Sequence, residues 1–215
     1  MDPNNIIQTI AIAALPVIFA ITLHEAAHGY AAMKLGDRTA WMLGRVSINP
    51  LRHIDPIGTI LVPLLTLMMG GILFGWAKPV PVNFNNLNHP KKDMLWVAAA
   101  GPGANIVMAV FWALVMKLAH ILPLSSYTEP LALMGQAGIT INAILAALNL
   151  LPLPPLDGGR IAVSLLPSRW AYGLARVEPY GLFILIALLV TGLLNSFMMP
   201  VFSLIQRIAY FIIGL

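Results

Sequence analysis

Apolar runs long enough to cross a bilayer alternate along the chain with short polar stretches, and the borders between them predict the elements. The first run extends from Ile6 to about Lys34, with no ionisable side chain before His24. It predicts one helix, kinked at Pro16 and stopped by Gly36-Asp37. Arg38 to Asp55 mixes basic and polar positions, and Val46-Ser47-Ile48 reads as a short strand. Ile57 to Ala77 is uncharged and long enough to span, but Pro63, Gly70, Gly71 and Gly75 break it. Lys78 to Asn83 reads as extended, because Pro79 and Pro81 each push the preceding residue out of the α region. A polar loop over Asn83–Asp93 leads to a helix over Met94–Met116. A turn region over Lys117–Pro130 then leads to a second apolar helix, Leu131–Leu151. A short basic region reaches Glu178, and Tyr180–Asn195 forms another span. Ser196–Leu215, interrupted by Pro200 and carrying Arg207, is a last span or an interfacial helix.

Composition turns this pattern into a class. Apolar residues make up 59% and charged residues 9% of the chain, where a soluble domain carries about 25% charged. With a mean hydropathy of +0.85, the expected fold class is an all-α polytopic membrane protein in a lipid bilayer. Its 215 residues allow one integral-membrane domain, with a core over about 6–160 and C-terminal helices over about 178–215. There is no cysteine, so a metal would be held by His, Asp or Glu. The net charge of +4 comes mostly from residues flanking the apolar segments. That makes it a topology signal and not a nucleic-acid footprint. Met1–Asn5 lacks the basic start of a cleavable signal peptide, so the first run is expected to stay as a membrane helix.

Within that first helix the sequence reads His24-Glu25-Ala26-Ala27-His28. Positions i and i+4 share a helix face, so both imidazoles can aim at one point. The spacing suits two zinc ligands, with Glu25 as general base on a zinc-bound water. A catalytic zinc usually takes a third protein ligand. Most other acids sit in ordinary turns or at span ends. Asp157 instead follows the proline-broken stretch Pro152–Pro155 and precedes Gly158-Gly159, and broken backbone at membrane depth has to line a cavity or lie buried. The alternative role for Asp157 is an N-cap of the helix that follows. If Ile57–Ala77 dips in and returns, Asp157 and the histidines share the cytoplasmic half, and most Lys and Arg fall inside.

Three motifs in order carry a resemblance: His24-Glu25-x-x-His28, Gly101-Pro102-x-x-Asn105, and Asn149-x-x-Pro152-x-x-Pro155-Leu156-Asp157-Gly158. They resemble the site-2 protease family of intramembrane zinc metalloproteases. Asn49–Thr59 and Gly75–Asn83 resemble its compact prokaryotic branch, which lacks PDZ and CBS domains. The resemblance implies one catalytic Zn2+ held by His24, His28 and Asp157, with Glu25 catalytic. It also implies a three-helix core made of Ile6–Lys34, Met94–Met116 and Leu131–Leu151. The implied substrate is a membrane-spanning protein or peptide, such as a membrane-anchored regulator or a leftover signal peptide. The expected location is the plasma membrane, with the charge pattern placing the active site in its cytoplasmic half.

The resemblance implies that Asn149 bonds the substrate carbonyl or helps the transition state, where a plain bridge between helices is the alternative. Further substrate contacts are expected along Val80, Val82 and Asn83, where an extended edge could hold an unwound peptide. The same edge could equally be a rigid connector. Asn105 reads as a helix bridge or a support for the zinc ligands. His53 reads as a loop hydrogen bond or as such a support. The sequence carries no signal of oligomeric state. An idle scaffold or metal carrier of the same fold is the competing reading, against which stands the full set of Glu25 and three ligand candidates. A transporter would need paired broken helices in two related halves, and only one such break is present.

Overall fold

A computed structural model describes residues 3–53, 55–61 and 78–214. Helix α1 (Pro3–Lys34) runs through Pro16 without interruption. It stops where Gly36 adopts a φ of 115° and the Asp37 N–H reaches back 2.9 Å to the Ala32 carbonyl. That is the left-handed closure expected of a C-terminal glycine. After the single turn α2 (Thr39–Met42), Val46–Ile48 is irregular, in contrast to the strand its propensity predicts. No strand occurs among the described residues, so none of them offers it a ladder, and the Ser47 carbonyl pairs with the His53 ring at 2.9 Å. Pro56–Leu61 winds as a π-helical turn. The rest of Ile57–Ala77, and with it the re-entrant course expected there, lies outside the described residues.

Lys78–Asn83, the segment the prolines predict to be extended, carries no helix or strand, and Asn83 at its end has extended backbone angles. Helix α3 (Pro90–Ile121) exceeds the Met94–Met116 run at both ends. Pro90 opens it without needing a partner for a missing N–H, and Asp93 Oδ2 accepts the His89 N–H at 2.7 Å. The end of the expected polar loop therefore forms a capped first turn. At the other end Lys117 stays helical and reaches the Ile212 carbonyl at 2.8 Å. Then follow α4 (Thr128–Asn149), α5 (Asp157–Leu165), α6 (Ser168–Ala175), α7 (Gly181–Val190) and α8 (Leu193–Ile213). The break between α7 and α8 falls at Gly192, whose φ is 76°, and not at the expected Asn195-Ser196.

Among the described residues five segments are long and apolar enough to cross a membrane: Gln8–Lys34, Pro90–Ile121, Thr128–Asn149, Ser168–Val190 and Leu193–Ile213. The protein is an all-helical, multi-pass membrane protein. Helices α1, α3 and α4 pack on one another, and α8 packs along α3 and α4, which favours a span over an interfacial helix for the C-terminus. Lipid supplies no hydrophobic drive between helices, so small residues that allow close approach replace it. Ala109, Ala143 and Ala146 meet Ile205, while Ala113, Ile139 and Ala209 surround Trp112. A Cβ on Gly138 would lie 2.1 Å from the Trp112 ring, so this contact between α3 and α4 admits only glycine.

Candidate metal centre

His24 and His28 lie one turn apart on α1, on the face that meets α3. His24 is buried and its Nε2 is 3.1 Å from that of His28. Asp157, the first residue of α5, brings Oδ2 to 3.3 Å from His24 Nε2 and 3.2 Å from His28 Nε2. Its position depends on the two glycines that follow. A Cβ on Gly158 would lie 2.3 Å from the Leu151 carbonyl oxygen, and one on Gly159 2.2 Å from Pro154 N. The N-cap of α5 is Leu156, so the capping alternative for Asp157 is set aside: its carboxylate turns to the histidines.

The other ring nitrogens decide what these atoms can do. His28 Nδ1 lies 2.7 Å from the Val97 carbonyl, which only accepts, so the proton sits on Nδ1. His24 Nδ1 lies 2.6 Å from Asn105 Oδ1 and is likewise the protonated nitrogen. Both Nε2 atoms therefore present lone pairs to each other and to Asp157 Oδ2, which is buried without a hydrogen-bond donor. Three converging lone-pair atoms within 4.8 Å of one another are unfavourable together unless a cation lies among them. Two imidazoles, a carboxylate and no thiolate fit zinc with an open coordination position. Room for the pair comes from Gly101 of α3, where a Cβ would lie 2.3 Å from His28 Nε2 and 2.7 Å from His24 Cε1.

Glu25 shares a cavity of about 200 Å³ with His24, His28 and Asp157, and with Pro79, Val80 and Val82 of the extended segment. Its Oε2 accepts the Val80 N–H at 2.7 Å. The extended segment is pinned along its length. Lys78 N–H bonds the His53 carbonyl at 3.0 Å, Arg45 Nη2 bonds the Lys78 carbonyl at 2.8 Å, and Asn83 N–H bonds Asp37 Oδ2 at 2.7 Å. Asp37 is 0% exposed. Burial alone would raise its carboxyl, but hydrogen bonds from Thr39, Asn83 and Asn86 outweigh that and hold it below the ordinary value of 3.8.

Comparison with known proteins fits this geometry. A profile of peptidase family M50 matches residues 124–192. YwhC of Bacillus subtilis (strain 168), which carries the provisional name of zinc metalloprotease, is 38% identical over 192 residues. The match covers 88% of this chain and 84% of YwhC. The chain belongs to peptidase family M50, the site-2 protease family. Rip2 of Mycolicibacterium smegmatis, also provisionally named a zinc metalloprotease, is 31% identical over 184 residues, covering 83% of this chain and 66% of Rip2. Rip2 of Mycobacterium tuberculosis (strain ATCC 25618 / H37Rv) is 27% identical over the same shares. No solved structure matches the chain. Zinc is thus the metal that both the family and the donor set imply.

Within this M50 fold the remaining candidates separate. Asn149 borders the cavity at the end of α4, with its amide donating to the Leu145 carbonyl at 3.0 Å. Val80 and Val82 also border it, whereas Asn83 does not. Asn83 spends its N–H on Asp37 and its side chain on Asn85 N–H. Asn105 supports His24 directly. His53 is buried and bonds Ser47, and neither metal-facing histidine uses it. Three positions are not legible in the sequence as part of the site: Gly101 as the floor under the histidines, Asp37 as the anchor of the extended segment, and Asn142. A polar residue inside an apolar span is the available signal for Asn142.

Proposed function

We propose that this metalloprotease hydrolyses peptide bonds of membrane-spanning proteins or peptides in the cytoplasmic half of the plasma membrane, with Glu25 as general base. The observation that carries this reading is the convergence of His24, His28 and Asp157 beside Glu25 on the wall of a cavity set among membrane helices. Zinc, when bound by those three residues, supplies Lewis-acid polarisation of water and of the scissile carbonyl. Glu25 Oε2, oriented by the Val80 amide, takes the proton as the water oxygen bonds to the carbonyl carbon. It returns that proton to the leaving nitrogen as the C–N bond breaks. A transmembrane substrate has its backbone bonds satisfied within its own helix and has to unwind first. The edge at Val80–Val82 offers main-chain groups to the unwound segment, though Pro79 and Pro81 limit the number of bonds. Asn149 stands on the same cavity to meet a substrate carbonyl. The Lys and Arg residues around the polar loops support the cytoplasmic placement.

The test compares zinc content and cleavage of a model transmembrane substrate for wild type and Glu25→Gln in detergent. Zinc in both, with the variant slower by about 10²–10⁴-fold, is expected. Equal cleavage by the variant would overturn the role of Glu25, and zinc without cleavage in either would favour the scaffold reading.

A further inference from the structure

We propose that Asn142 is a positioning residue of the metal centre, holding the Asn105 amide in the one orientation that keeps a proton on His24 Nδ1. This rests on the reading of His24, His28 and Asp157 as a zinc site. Asn142 lies on α4, is 0% exposed, and does not line the cavity. Its Nδ2 donates to the Gly138 carbonyl at 2.9 Å. A main-chain carbonyl can only accept, so the other amide atom, Oδ1, is the one turned toward α3. There it accepts from Asn105 Nδ2 at 2.9 Å. The same Nδ2 donates its second proton to the Ala20 carbonyl of α1 at 3.1 Å. Asn105 Oδ1 is then left facing His24 Nδ1 at 2.6 Å. Direction thus passes from two accept-only carbonyls, Gly138 and Ala20, through two amides to one imidazole.

The opposite orientation has a specific cost. A flipped Asn105 would set its oxygen against the Ala20 carbonyl and Asn142 Oδ1, two contacts between acceptors at fully buried side chains. Its NH2 would then face His24 Nδ1, driving the ring proton to Nε2, the atom that has to ligate. His28 needs no such relay, because the Val97 carbonyl fixes its tautomer directly. Asn142 is what lets a side-chain amide, which could face either way, do the work of a main-chain carbonyl at His24.

The test uses the full chain in detergent. Zinc affinity is measured by chelator competition, and thermal unfolding is followed on the metal-free protein, for wild type, Asn142→Leu and Asn142→Asp. Leucine keeps the shape and removes the polarity. Aspartic acid, kept neutral by burial, donates to Gly138 and accepts from Asn105 as asparagine does. Asn142→Leu is expected to weaken zinc by about tenfold, with Asn142→Asp near wild type. Nitrogen NMR of the metal-free wild type is expected to place the His24 proton on Nδ1, and it decides the matter alone if the leucine variant fails to fold. A proton on Nε2, wild-type affinity in Asn142→Leu, or equal loss in both variants would each overturn the proposal. Failure of the wild type to bind zinc would instead remove the metal-centre reading beneath it.

Discussion

His24 and Glu25 are neighbours in sequence and border one cavity, yet each is held by surroundings built in a different way. The His24 side is a closed polar network between α1, α3 and α4, in which Asn105 and Asn142 are both 0% exposed. The Glu25 side is an open cavity whose far wall is an extended segment, held by backbone amides to Glu25 and Asp37. The first arrangement allows no alternative pairing without burying an unpaired group, so it suits a metal that requires fixed donors. The second holds each partner by one or two bonds near solvent-accessible polar loops. A peptide that has to enter and leave needs that kind of wall.

The comparison can be broken most sharply at Gly101. Gly101→Ala places a Cβ against both imidazoles, and zinc affinity is expected to fall on the order of a hundredfold. Chelator competition measures this, and an unchanged affinity would mean that the histidine wall is less rigid than described. Asp37→Ala acts on the other region. It removes the acceptor of the Asn83 N–H, a hydrogen bond to a charged group worth about 1.5 kcal/mol. Stoichiometric zinc should survive while cleavage falls and hydrogen exchange at Val80–Asn86 quickens. Loss of zinc in this variant would show that the segment at Val80–Asn83 also holds the metal ligands in place.

The smallest effect is a pH dependence. The folded Asp37 carboxyl titrates below its ordinary 3.8, so its contribution is present above that value. It is lost as pH falls through the lower folded value. The protection of Val80–Asn86 in wild type over Asp37→Asn should therefore be constant above about pH 4 and shrink below it. A gap that stays constant down to strongly acid pH would show that the carboxylate charge is not what anchors the segment.

Much of the molecule is legible in the amino-acid sequence. Local physics settles the spans, because a bilayer demands long apolar helices whatever they pack against. The same physics marks His24, Glu25 and His28 as candidates on one helix, since i to i+4 spacing and the absence of other ionisable groups need no tertiary information. Asp157 stands out because prolines before it and glycines behind it signal a broken backbone. Helix ends are less legible. The first turn of α3 has the composition of a loop, since its start depends on Asp93 folding back to the His89 N–H. Val46–Ile48 has the composition of a strand, but strand propensity says nothing about whether a partner exists.

What the sequence determined by itself was thus the solvent of the protein, the helices that solvent imposes, and the residue types able to hold zinc. The tertiary structure alone decided which distant groups orient them: Asn142 behind Asn105, the Val97 carbonyl behind His28, Gly101 beneath both rings, and Val80 on Glu25. The physical reason is that hydrogen-bond direction and steric room belong to pairs of atoms, and these pairs lie up to 85 residues apart in the chain.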